Sequence, residues 1–85
     1  MEDKIILCEI DMFSAEQVVK LPGGHIERVP LEKIYSYLPT VCYNLNVPKI
    51  HLFGNEKFCI GIANQINLET QKLNYSNFNL EIEVN

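Results

Sequence analysis

Positive charge is what this chain has least of. Seven Lys and Arg stand against eleven Asp and Glu over 85 residues, a formal net charge of -4. Arg28 is the sole arginine, so at most one guanidinium fork can grip an anion at two points. Free-standing affinity for nucleic acid or for an anionic membrane rests on Lys and Arg neutralising phosphate, and neither is expected here. Long apolar runs are missing too: none approaches the roughly 20 residues of a membrane span. The opening MEDKIILCEI sets acids before a short apolar run that continues into the domain, unlike a secretory signal. The expected address is cytoplasmic, with no membrane partner.

Metal-binding and nucleophilic patterns are equally scarce. Cys8, Cys42 and Cys59 are widely spaced, each inside an apolar segment, with no C-x-x-C pair and no histidine at ligand spacing. They read as small buried hydrophobes. His25 adjoins a turn and His51 a strand, and neither has a Ser or Cys at a readable spacing, so no catalytic residue is assigned. Glu9 and Asp11, two apart in the first apolar run, could share a divalent ion, although an exposed acidic pair is ordinarily solvated. No cofactor is expected. Tyr35, Tyr37 and Tyr43 lack the interleaved basic residues of a nucleic-acid stacking platform and read as packing residues.

What is present is a clear succession of periodicities. Apolar content of 47% with 21% charge is that of a folded globular chain, and the length gives one domain over residues 1–85 with one core. Lys4 to Phe13 is a nearly unbroken apolar run, AEQVVKL follows over 15–21, and PGG supplies a turn before HIERV over 25–29. Three antiparallel strands are predicted. Pro30 suits the first turn of a helix, and Leu31, Ile34, Tyr35, Leu38, Val41, Cys42 and Leu45 recur at helical spacing. Pro39 falls inside that stripe and predicts a kink or a break into two short helices.

NLNVP stops the helix, and residues 49–53 are long enough only for a strand. Gly54 and Asn55 then form a connection, Asn55 serving as N-cap for a second helix whose buried face holds Phe58, Cys59, Ile62, Ala63 and Ile66. The closing NFNLEIEV alternates, with Phe78, Leu80, Ile82 and Val84 on one side and Asn79, Glu81 and Glu83 on the other.

The order β-β-β-α-β-α-β predicts an α/β two-layer domain. If both right-handed crossovers add strands successively beyond the first, the five-stranded mixed sheet has order 3-2-1-4-5 and both helices cover one face. Parity then assigns Ile6, Cys8, Ile10 and Met12 to the core. It leaves Glu9 and Asp11 with Ile5 and Leu7 on the open face, beside His51, Phe53, Asn79, Glu81 and Glu83. That face is expected to be part acidic and part apolar, a composition suited to a partner.

This order of elements resembles the central part of the ribonuclease H-like fold, shared by retroviral-type integrases, Holliday-junction resolvases and the sugar kinase, heat-shock chaperone and actin group. In that family an aspartate stands in the middle of the first strand, and CEIDMFSAEQ offers Asp11 for the position, with Ser14 following. The resemblance implies a metal-dependent nuclease or a nucleotide binder. A nuclease of this kind needs further carboxylates to hold two metals about 3.5 to 4 Å apart. The corresponding corner here, FGNEK, has none at Gly54 and Asn55, and DMFSAEQ lacks the glycines of a phosphate loop.

The function expected is therefore that of a small non-enzymatic module that binds another protein or its own copy, through the open face or the C-terminal edge strand. Ile and Asn are heavily used and Lys is preferred to Arg, as in AT-rich genomes, and the small acidic format matches accessory proteins of bacteriophages or mobile elements. A nuclease-like or nucleotide-binding protein that completes its site by dimerising is the alternative, and a structural subunit of a larger assembly is another.

Overall fold

The protein is described by a computed structural model covering residues 4–73 and 78–85; Glu2 and Asp3 of the opening stretch, and Asn77 at the start of NFNLEIEV, lie outside the described residues. Seven elements follow in order: β1 (Ile6–Ile10), β2 (Glu16–Lys20), β3 (Ile26–Pro30), α1 (Leu31–Leu45), β4 (Lys49–Gly54), α2 (Glu56–Leu73) and β5 (Glu81–Val84). The sheet has the order β3-β2-β1-β4-β5. β2 is antiparallel to both β1 and β3, while β4 is parallel to β1 and β5, so β2 alone runs against the other four strands.

Pleating decides which side is covered. Ile6, Cys8 and Ile10 are buried while Leu7 and Glu9 between them are not. The register sets Ile6 beside Ile50, and Cys8 between Leu52 and Val19, so the inward residues of neighbouring strands form one apolar layer. Ile34, Leu38 and Cys42 of α1 and Cys59, Ile62 and Ile66 of α2 close the same cluster. Both helices lie on that face. Each fully buried Ile or Leu contributes roughly 1.5–3 kcal/mol, and this layer supplies most of what opposes chain entropy in so short a domain.

The β2–β3 hairpin turns at Pro22 and Gly23. Gly24 N–H donates to the Leu21 carbonyl (3.2 Å) and Gly23 has φ +90, as a type II turn requires. Pro30 is extended (φ -55, ψ 142) and ends β3, so it caps α1 from outside and Leu31 opens the helix directly. The predicted break at Pro39 does not occur: α1 is one element to Leu45, with Pro39 buried beside the core stripe. An interior proline costs about 3 kcal/mol, less than the burial of Ile34, Leu38 and Cys42 together recovers. Asn46 in the left-handed region ends α1, its N–H bonded to the Tyr43 carbonyl (3.2 Å) and the Val47 N–H to that of Cys42 (2.8 Å). These are the paired bonds of a Schellman motif.

Two strand ends differ from expectation. β1 stops at Ile10, so Asp11 is not mid-strand and Met12, placed in the core by parity, is 46% exposed. The cause is local: the Asp11 side chain accepts the Phe13 N–H (2.9 Å) and the Asp11 carbonyl accepts the Ser14 N–H (3.1 Å), a turn that competes with the ladder. β5 begins only at Glu81, leaving Asn79 exposed ahead of it. Phe78 and Leu80 still pack on the core, the Phe78 ring meeting Tyr43 edge-on at 5.6 Å between centroids.

Candidate interaction surface

The face of the sheet without helices is built by register. One row across the strands reads Arg28, Val18, Glu9, Phe53. The next reads Ile26, Lys20, Leu7, His51, Glu83, with Lys49 and Glu81 paired beyond it. Leu7, Val18 and Phe53 are half-buried, and Ile26 is 52% exposed. Of the residues chosen from the sequence, the fold gathers Glu9, His51, Phe53, Glu81 and Glu83 on this face; it leaves Asp11 in the β1–β2 turn and Asn79 before β5.

The face is mixed in charge, not acidic. Lys20, Arg28 and Lys49 share it with Glu9, Glu16, Glu81 and Glu83. The positive side chains Lys20 and Arg28 lie toward the β3 edge, and Glu81 and Glu83 occupy the β5 edge. Lys49 Nζ meets Glu83 Oε1 at 2.5 Å, and His51 Nδ1 stands 4.0 Å from Oε2. The hydrogen bond from Lys49, aided by the charges of Lys49 and His51, holds the Glu83 carboxyl below its ordinary range. The His51 and Phe53 rings meet edge to face at 6.0 Å.

At the carboxyl ends of β1 and β4, the corner where the ribonuclease H-like resemblance would set its chemistry, local structure takes up the polar groups. Asn55 Oδ1 accepts the Phe58 N–H (3.1 Å), capping α2 with the chain's own side chain. Gly54 has φ +122, and a Cβ there would stand 2.3 Å from the Ile10 carbonyl oxygen. The turn is a close-packed connection that only glycine fits. Glu9 and Asp11 occupy different elements, and among the described residues no group of three or more His, Cys, Asp or Glu could hold a metal ion.

The residue sequence reading missed is Gln17, 1% exposed. Its Oε1 accepts the Asp11 N–H (2.6 Å), and its Nε2 donates to the carbonyls of Asp11 and Ser14 (3.1 Å each). It clamps the β1–β2 turn from inside and holds Phe13, 93% exposed, at the tip. The available signal was parity: Gln17 stands two residues before buried Val19 on the inward side of β2. The three cysteines are free and buried. Burial pushes the Cys8 and Cys42 thiols up to about 12 and raises that of Cys59, with Cys59 and then Glu9 adding to the effect at Cys8.

No helix among the described residues is long and apolar enough to cross a membrane. Comparison with protein-family models, characterised proteins and solved structures gave no match.

Proposed function

We propose that this protein is a small non-enzymatic interaction module that docks a protein partner or a further copy of itself on the open face of its sheet or along its edges. The observation that carries the reading is the set of Leu7, Val18 and Phe53 from two adjacent rows, partly exposed between charged neighbours on a sheet face that neither helix covers. Such a patch, apolar at its centre and charged around it, has the anatomy of a protein-binding surface. The composition suits an accessory protein of a bacteriophage or mobile element, acting inside the host cell.

Affinity capture from the native host across a salt series tests it. Binding is expected to weaken from low to moderate salt because charged side chains surround the patch, and Leu7→Lys is expected to abolish capture while leaving the fold intact. A capture indifferent to both salt and Leu7→Lys removes the reading. The rival, a metal-dependent nuclease or nucleotide binder using Asp11, has weaker support because the Asp11 carboxylate is engaged with the Phe13 N–H. Titration with manganese and a nucleotide, followed at the Asp11 and Glu9 resonances, separates the two.

A further inference from the structure

We infer that copies of this protein join edge to edge, β5 of one copy pairing in parallel with β3 of the next; this rests on the interaction-module reading and names the partner as a second copy. The two edges match in four respects. First, direction: β3 and β5 run the same way, so the sheet of one copy continues into the next with the helices on the same side.

Second, the outward peptide groups are in phase. Leu21 N–H donates to the His25 carbonyl (2.8 Å) and Leu31 N–H to that of Ala15 (3.2 Å). This fixes the alternation along β3: Glu27 and Val29 bond inward to β2, while Ile26 and Arg28 turn their N–H and C=O to the edge. On β5, Glu81 N–H donates to the Pro48 carbonyl (2.8 Å) and Asn85 N–H to that of Leu52 (3.0 Å), so Ile82 and Val84 point outward. In a parallel ladder an outward residue bonds the two residues flanking its register partner. Arg28 N–H then donates to Ile82 C=O of the next copy, Val84 N–H of that copy donates to Arg28 C=O, and Arg28 stands opposite Glu83.

Third, the side chains agree. Arg28 and Glu83 both belong to the open face, and opposite charges facing across a ladder are stabilising. Glu83, already holding Lys49, is set between two cations, which its two carboxylate oxygens can accept together. Fourth, on the helix side Val29 stands opposite Val84, beside a groove of about 590 Å³ lined by Val29, Tyr37 and Val41. Val84, half-buried in a single copy, gains apolar cover there, while Ile82, opposite Glu27 in this register, keeps its packing on the core of its own copy.

Pairing like edges is opposed by charge. Antiparallel β5 with β5 sets Glu83 against Glu83 or Glu81, and β3 with β3 sets Glu27 against Glu27 or Arg28 against Arg28. The contact is heterologous, so copies add head to tail into a ring or an open chain.

Light scattering on the whole chain tests this with edge-blocking variants, each checked for fold by circular dichroism. Arg28→Pro removes an outward N–H without breaking a bond to β2, and Val84→Pro does the same on β5. Wild type is expected to grow in mass with concentration, each variant alone to stay monomeric, and their mixture to give a one-to-one dimer and nothing larger. Arg28→Glu, which leaves the backbone donor in place, is expected to weaken assembly about tenfold. A wild type that stays monomeric throughout the series overturns the inference, leaving the broader reading to the salt-dependent capture. Assembly that persists in either variant alone overturns it as well, and if Leu7→Lys then abolishes that assembly the broader reading stands on the open face.

Discussion

The two faces of one sheet are alike in backbone and opposite in what their side chains do. On the helix side Ile6, Cys8, Val19, Ile50 and Leu52 are fully buried; one residue along in each strand, Leu7, Glu9, Val18, His51 and Phe53 meet solvent in part or in full. The buried positions of the covered face are apolar except at Gln17, whose polar atoms are taken up by the β1–β2 turn, because each position must exclude water. The open face is heterogeneous because each residue there answers to a cross-strand neighbour, as Lys49 does to Glu83. Stability and recognition are therefore carried by interleaved sets of residues, and substitutions can separate them.

The largest expected effect lies on the covered side. Leu38 is fully buried between helix and sheet, and Leu38→Ala is expected to cost about 2–5 kcal/mol in denaturant unfolding. A loss below about 1 kcal/mol would place the α1 stripe away from the core. Next is Gly54→Ala, where the positive φ and the clash with the Ile10 carbonyl combine to cost about 2–3 kcal/mol. An unchanged unfolding midpoint would show that β4 can draw away from β1.

The cysteines sharpen the contrast through pH. A thiol raised from 9.0 to about 12 in the folded state, as at Cys8 and Cys42, stabilises the fold fully below pH 9.0. That contribution is lost as the pH climbs from there toward 12, because the unfolded chain releases the proton first. Unfolding followed between neutral and alkaline pH should show this decline, and thiol reagents at neutral pH should label Cys8 and Cys42 only after denaturation. Labelling as fast as that of a free thiol in the native protein would contradict their burial. The smallest effect belongs to Asp11→Ala, expected to cost no more than about 1 kcal/mol, since only the Phe13 N–H of an exposed turn loses its partner.

Much of this architecture was legible before any coordinates. The α1 stripe, the Asn55 cap and the alternation through Glu81 and Glu83 each carry a periodicity or a positional preference strong enough to read alone, and with β4 and β5 added successively beyond β1, crossover handedness put both helices on one face. The end of β1 and the start of β5 were not legible, because apolar residues extend beyond the ladder, to Met12 after β1 and back to Phe78 before β5. Turn hydrogen bonds, such as that of Asp11, decide where a strand ends, and they depend on which donor lies within reach. The mixed charge of the open face was missed for a related reason: Glu9 reads as acidic by itself, but its row also contains Arg28, which only the pairing register reveals. Pro39 shows propensity losing to burial over a single turn.

Pro30 closes β3 and Leu31 opens α1 with no residue between them. A sheet margin fused to a helix without slack behaves as a lever whose fulcrum is a ring with fixed φ. Anything wedged between the two must tilt fifteen residues of helix at once.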